Sequence, residues 1–194
     1  MNFSRRSVVA AAIGGAFASG CATASLAQGS YKAGSAFTVT LARPWSDLSA
    51  MLLPRPPGVH MLSIDGPLLN RLYLAGLAAG QSLVRPTDRD TPRPTFRADM
   101  SDGELVEFVT DCVAALEFQA PEASALRPQN FGASPGVRFN LSTRTAEGLE
   151  ISGTALVARA GDKLNVMLFL APSEHYYASL LADVEFVFAS AALA

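Results

Sequence analysis

From Val137 onward the chain changes polarity at almost every residue, and this restricts the possible folds more than any other feature. Val137, Phe139, Leu141 and Thr143 alternate with Arg138, Asn140, Ser142 and Arg144. A period of two puts one set on each face of an extended strand. Ala146-Glu147-Gly148 turns the chain, after which Leu149, Ile151, Gly153, Ala155 and Val157 resume the alternation. Ala160-Gly161-Asp162 turns it back, and residues 163–170 become apolar on both faces, as in a strand covered from both sides. Successive strands joined by tight turns make an antiparallel sheet. A helix is expected over residues 173–189, with Tyr176, Tyr177, Leu180, Leu181, Val184, Val187 and Phe188 on one side of its wheel.

The upstream half is less regular. Residues 36–41 alternate as a strand would. Residues 59–64 and 68–74 are strand-like and flank Asp65-Gly66-Pro67, a hairpin signal because Asp-Gly supplies the positive φ of a tight turn. Residues 43–57 are irregular, with prolines at 44, 54, 56 and 57 and the single tryptophan, Trp45. Residues 85–97, rich in proline and arginine, read as a solvated loop. Residues 101–116 predict a helix: Ser101 and Glu104 form a capping box, and Leu105, Phe108, Val109, Cys112, Val113 and Leu116 recur on one face. The fold class is therefore α+β, an antiparallel β-sheet with two amphipathic helices packed on it, in a single domain over residues 36–194.

The N-terminus carries an address. Ser4-Arg5-Arg6-Ser7-Val8-Val9 leads into a short Ala/Gly-rich apolar run, the pattern of an export signal over residues 1–27. The run is too short to span a bilayer, which needs about 20 apolar residues. The paired arginines resemble a twin-arginine signal, but they also serve any secretory signal, and both routes stay open. Ala18-Ser19-Gly20-Cys21 resembles a bacterial lipobox, in which Cys21 is acylated and becomes the new N-terminus. Ser25-Leu26-Ala27 offers a rival exit for soluble release. Lipidation at Cys21 is the preferred reading, and Ala22 after it suggests sorting to the outer membrane. Residues 28–35, rich in Gly and Ser, read as a flexible tether.

Composition narrows the function. With 15 basic and 17 acidic residues, scattered and without a basic stripe, the chain is not expected to bind nucleic acid. Its 49% hydrophobic content against 16% charged excludes disorder and exceeds what one core needs. With Cys21 acylated or removed, Cys112 has no disulfide partner. Its place on the apolar helix face and the lack of a neighbouring cation make it a small buried hydrophobe rather than a reactive thiol.

The stretch from Val137 to Ala189 is similar to the closing half of PsbP-like domains. It runs strand, Glu147-Gly148 turn, Gly153-containing strand, Gly161-Asp162 turn, apolar strand, Ala171-Pro172 and then an aromatic-led helix. That fold is shared by an extrinsic photosystem subunit, a Ran-binding Mog protein and several bacterial envelope lipoproteins. The resemblance implies a module that binds or braces other proteins, without a shared catalytic set. The rest of the chain resembles lipoproteins of the Gram-negative envelope.

Candidate site residues are few. Gly132-Ala133-Ser134-Pro135-Gly136 fits the Gly-x-Ser-x-Gly form, with Asp162 and His175 following in hydrolase order. A nucleophile elbow needs a strand before the serine and a helix after it, whereas Pro135 follows here and a strand comes next. Loop chemistry is the better reading. Glu174-His175-Tyr176-Tyr177 reads either as a polar binding site at a cleft edge or as an acidic first helical turn with an exposed histidine. His60 in an alternating strand is more simply a satisfied sheet residue than a ligand. Phe186 falls on the polar side of the last helix beside Ser179 and Ala182, as a docking spot or as a contact with Trp45 or the Pro-rich segment. No zinc, Walker or dinucleotide spacing is present, and no cofactor or metal is expected. The sequence reading is a non-catalytic, periplasm-facing lipoprotein with an envelope protein partner. Its membrane contact is the lipid anchor, and His175, Tyr176, Phe186 and Trp45 are its candidate binding residues. The alternative is a carrier of an apolar small molecule or lipid.

Overall fold

The computed structural model describes residues 25–52, 55–85 and 93–194. The described strands form one antiparallel sheet in the order β1-β2-β3-β4-β8-β7-β6-β5, with a short β9 beside β2. The strands are β1 (Ser25–Ala33), β2 (Phe37–Asp47), β3 (Val59–Ser63), β4 (Arg71–Ala78), β5 (Gln119–Pro128), β6 (Val137–Arg144), β7 (Glu150–Ala160), β8 (Lys163–Pro172) and β9 (Ala192–Leu193). Two helices, α1 (Asp102–Ala114) and α2 (Ala178–Ala189), cover opposite faces.

The alternation produces these two faces directly. In β8, Leu164, Val166, Leu168 and Leu170 join the α1-side core, while Met167, Phe169 and Ala171 join the α2-side core. Each large apolar side chain fully buried this way contributes about 1.5–3 kcal/mol. α1 starts at Ser101, whose hydroxyl accepts from the Glu104 N–H at 3.3 Å while Glu104 Oε2 accepts from the Ser101 N–H at 2.7 Å. Its apolar face inserts Leu105, Phe108, Val109, Cys112 and Val113 into the α1-side core. Burial pushes the Cys112 thiol up to about 12, with hydrogen bonds from the segment around Ser82–Val84 only partly opposing it. The thiol is therefore protonated and inert at neutral pH.

Several expectations are corrected. Residues 28–35 are not a flexible tether. Ser25–Ala33 is a strand paired along β2, from Ser25 opposite Asp47 to Ala33 opposite Phe37. The irregular segment 43–57 begins inside β2, which runs on to Asp47; Pro44 is absorbed where the β1–β2 register shifts between Ala27 and Gly29. A bulge is where a strand tolerates a missing donor. The last helix starts at Ala178, not Ser173. Residues Ser173–Tyr177 form a wide kinked turn in which His175 has φ 70° and ψ −55°. Glu174, with ψ 130°, therefore does not occupy a helical first turn.

β2 divides its pairing. Its end meets β3 (Ser46 opposite Ser63), while its start meets β9 (Phe37 opposite Leu193). The β1–β2 ribbon thus curls over α2. Phe37, Val39, Leu41 and Trp45 pack with Leu180, Val184, Val187 and Phe188. Ser190, at the end of α2, accepts from the Thr40 N–H at 2.8 Å and fixes the ribbon to the helix.

Candidate functional site

The expected residues do not converge on a catalytic centre. Ser134 precedes β6, whose Val137 lies opposite Val157, and Asp162 lies in the β7–β8 turn at that same end. His175 follows Pro172, which pairs with Ile151 six residues away along β7. At about 3.3 Å per residue this separates His175 from Ser134 by roughly 20 Å. Ser134 itself sits in a tight turn, exchanging both backbone hydrogen bonds with Phe131 at 2.9 and 3.1 Å. The glycines of this motif serve backbone crowding. A Cβ on Gly136 would stand 2.6 Å from Val157 O and 2.9 Å from Gln129 O, and one on Gly132 (φ +58°) would stand 3.0 Å from Ala191 O. Gly136→Ala is therefore expected to destabilise the fold by about 2 kcal/mol, and Ser134→Ala by about 0.5 kcal/mol or less. Urea unfolding midpoints check the ordering, and a larger loss for Ser134→Ala would contradict it.

Trp45 is fully buried in the α2-side core and is unable to contact a ligand directly. Its position opposite Ala27 in β2 places the indole under α2. His175 is exposed, its ring edge-on to half-buried Tyr176 at 5.4 Å. Phe186 is 47% exposed on the outer face of α2. Cys21 lies outside the described residues.

Two polar clusters escaped the sequence reading. The first is a guanidinium buried under α2. Arg138, expected on a polar face of β6, points instead into the layer that α2 covers, and its side chain is 1% exposed. Its Nε donates to Thr154 Oγ1 at 2.6 Å, and its two terminal nitrogens donate to the Glu185 carboxylate at 2.6 and 3.2 Å. The Phe188 ring lies 4.5 Å from its Cζ. A planar fork on a carboxylate fixes orientation as well as distance. This clamp sets the rotation of α2, and Phe186 follows Glu185 directly in the chain. Nothing in the sequence pairs residues 47 positions apart.

The second cluster joins β1, β2 and β3. Tyr31 donates its hydroxyl to Asp47 Oδ2 at 2.8 Å and lies 2.9 Å from His60 Nδ1. Arg55 approaches the same imidazole at 3.2 Å, and Asp47 Oδ1 accepts from the Ser49 N–H at 2.9 Å. Burial, then the Asp47 charge and hydrogen bond, push the Tyr31 phenol up, so it remains protonated. Burial and the Arg55 charge hold His60 below its ordinary range against the opposing pull of Asp47. For Asp47, burial pushes upward, but hydrogen bonds from Ser49 and Tyr31 and the nearby His60 outweigh it and the carboxyl is lowered. The group is thus a brace of a neutral phenol, a neutral imidazole and a carboxylate, and His60 is a satisfied sheet residue.

The sign of the pH response follows. A group lowered in the folded state contributes stability that is complete above its unfolded pKa and is lost as pH falls through the folded one. For His60 the loss starts near about pH 6.5, and for Asp47 below about pH 3.9. Stability should fall between neutral pH and mild acid, and His60→Gln should flatten that fall. Urea midpoints across this range test it; an unchanged slope in the variant would assign the loss elsewhere.

A groove of about 620 Å³ opens between the start of α1 and the β5–β6 edge. Leu105, Val137 and Val157 line it, with Arg127 and Arg159 among its polar residues. Arg159 donates to Met100 O at 2.6 Å and approaches Asp102 at 3.5 Å. Among the described residues, no three His, Cys, Asp or Glu side chains are grouped to hold a metal ion.

Compared with solved structures, the chain is similar to the solution structure of cyanobacterial PsbP (CyanoP) from Synechocystis sp. PCC 6803. The TM-score is 0.52 at 16% identity, covering 90% of this chain and 96% of that one. The fold is PsbP-like. At this identity the likeness is one of architecture, and it extends the PsbP-like resemblance from the closing strands and helix to nearly the whole chain. Neither a comparison with protein-family models nor one with curated proteins returns a match.

Proposed function

We propose that this PsbP-like chain is a non-catalytic envelope lipoprotein. It is anchored through Cys21 on the periplasmic side of the outer membrane and binds a protein partner through the outer face of α2. The observation that carries the reading is Phe186. An aromatic side chain left 47% exposed, on a helix whose rotation is fixed one residue away by the Arg138–Glu185 clamp, has the character of an interface anchor. Ala182 and Ser179 beside it are small and exposed, leaving the ring accessible. The route of anchoring gains support from β1. Cleavage after Ala27 would remove Ser25, Leu26 and Ala27, which pair with Asp47, Ser46 and Trp45, whereas a start at Cys21 keeps the strand whole.

The test is affinity recovery of the full-length tethered protein from solubilised membranes, beside Phe186→Ala at equal expression. A partner held by the wild type and reduced about tenfold or more in the variant is expected of a central anchor. Equal recovery with both proteins, or none with either, would reject the reading.

The groove beside Arg127 and Arg159 favours a second reading. Its volume lies within the range of small-molecule sites. An apolar floor with Arg127 beside it, next to an Arg159 already shared with Met100 O and Asp102, suits an amphiphile with a single anionic head such as a fatty acid. Native mass spectrometry of protein prepared without detergent tests this carrier function, and an empty protein that also ignores added oleate would dismiss it.

A further inference from the structure

Strands β1 to β8 place one set of ends together. Ser25 lies at the end of the sheet that also holds Asp47, Ser63, Arg71, Pro172, Glu150, Arg144 and Gln119. The β3–β4 and β6–β7 turns project from that end. Each carries an exposed leucine, Leu68 at 83% within its turn and Leu149 at 49% at the base of its turn, where the Leu149 carbonyl accepts from the Thr145 N–H at 2.9 Å. Leu26 in β1, 77% exposed, belongs to the same end. Leu68 and Leu149 border a small apolar cleft of about 100 Å³ with Pro67, Phe118 and Pro172. Exposed His175 and half-buried Tyr176 leave the sheet just beyond Pro172. Leu126, by contrast, lies toward the opposite end of β5, next to the Arg127–Arg138 pair, and Phe186 lies on the helix.

The chain enters the domain at this same end. Only three residues lie between Cys21 and Ser25, and the four steps from one to the other span at most about 14 Å. An acylated Cys21 therefore holds Ser25, and with it this end of the β1 edge, within that distance of the lipid surface. We propose that this end rests on the bilayer, with Leu68 and Leu149 entering the interfacial layer. The proposal rests on the anchored reading above and adds an orientation to it. A leucine side chain moved from water into an apolar layer is stabilised in proportion to the area it buries, and the tether confines the domain so that this gain is realised locally. Charge at this end is mixed: Asp65, Glu147 and Glu150 stand with Arg71 and Arg144. The contact is therefore apolar, without demand for anionic lipid. It leaves the groove at the far end facing away from the membrane.

The test uses the full-length acylated protein in phosphatidylcholine vesicles. Leu68→Cys and Leu149→Cys are labelled with a polarity-sensitive fluorophore, with Leu126→Cys and Phe186→Cys as references. Cys112 is fully buried and does not compete for label. All four sites are exposed, so labelling leaves the fold intact. Probes at 68 and 149 should shift to the blue on vesicle binding and lose emission when nitroxide lipids are added, while those at 126 and 186 should do neither. Vesicle-bound protein whose 68 and 149 probes stay water-like would overturn the orientation and leave the anchor standing. A shift at 126 or 186 instead would overturn it in favour of another face. Protein that fails to bind vesicles would overturn the anchored reading together with this one.

Discussion

Glu185→Ala is expected to destabilise the domain by about 3 kcal/mol, the low end of the range for breaking a buried ion pair. Removing the carboxylate leaves the Arg138 guanidinium, 1% exposed, with only Thr154 and a long contact to Gln129 as acceptors. Those residual bonds, and a carboxylate that is itself 47% exposed, keep the loss at the low end. Arg138→Met should be milder. It replaces a charged group in an apolar layer with an apolar one of similar length, and Glu185 can turn to water. This order, with the smaller and more exposed residue the costlier to lose, separates a desolvated charge from an ordinary surface pair, which would contribute at most about 1 kcal/mol. Urea unfolding with unchanged m-values checks it. A loss of under 1 kcal/mol for Glu185→Ala would mean that the clamp does not hold α2.

Trp45→Ala should cost about 4 kcal/mol, because the indole is fully buried among Phe37, Leu41 and the α2 side chains. The indole N–H finds no acceptor among the described residues. Trp45→Phe therefore forfeits volume but no hydrogen bond, and should recover most of the loss. As the only tryptophan, Trp45 also reports directly: native emission should be blue-shifted and move to the red on unfolding. A water-like native emission spectrum, or a Trp45→Ala variant as stable as wild type, would place the indole at the surface and reopen it as a binding residue.

How much of this was legible in the sequence depends on whether a strand has a buried face. β6, β7 and β8 are patterned because their alternate residues enter one or both cores, and α1 announces itself through Ser101 and Glu104. β1 carries only a sparse signal, turning Ala27, Tyr31 and Ala33 towards the α2-side core, and β5 carries none. Both are edge strands, and β5, Gln-Ala-Pro-Glu-Ala-Ser-Ala-Leu-Arg-Pro, buries none of its residues. It is held by backbone pairing with β6, with register shifts and positive φ at Ala120 and Ala125 that blunt the edge. No hydrophobic period arises where no side chain is sequestered. The kink at His175 was hidden because the residues of 173–177 fit a helical wheel that the backbone does not follow.

The polar clusters were illegible for another reason. Arg138 reads as a solvent-facing alternate of β6, and only the placement of α2 over that face makes it buried. Tyr31, Asp47, Arg55 and His60 come from separate strands and a loop, so their meeting is a property of the register. Phe186 was legible as a misfit on its wheel that left docking and a second-layer contact open, and the structure leaves it 47% exposed. The elbow motif shows the converse: its glycines are explained by three crowding carbonyl oxygens and one positive φ, without any chemistry at Ser134.

The proposed tether of the domain to lipid through Cys21 is tested by the intact mass of the protein extracted from membranes. A polypeptide beginning at Cys21 and heavier than its sequence by the mass of its acyl groups is expected. A mass matching an unmodified chain that begins at Gln28, or the unprocessed chain from Met1, would contradict it.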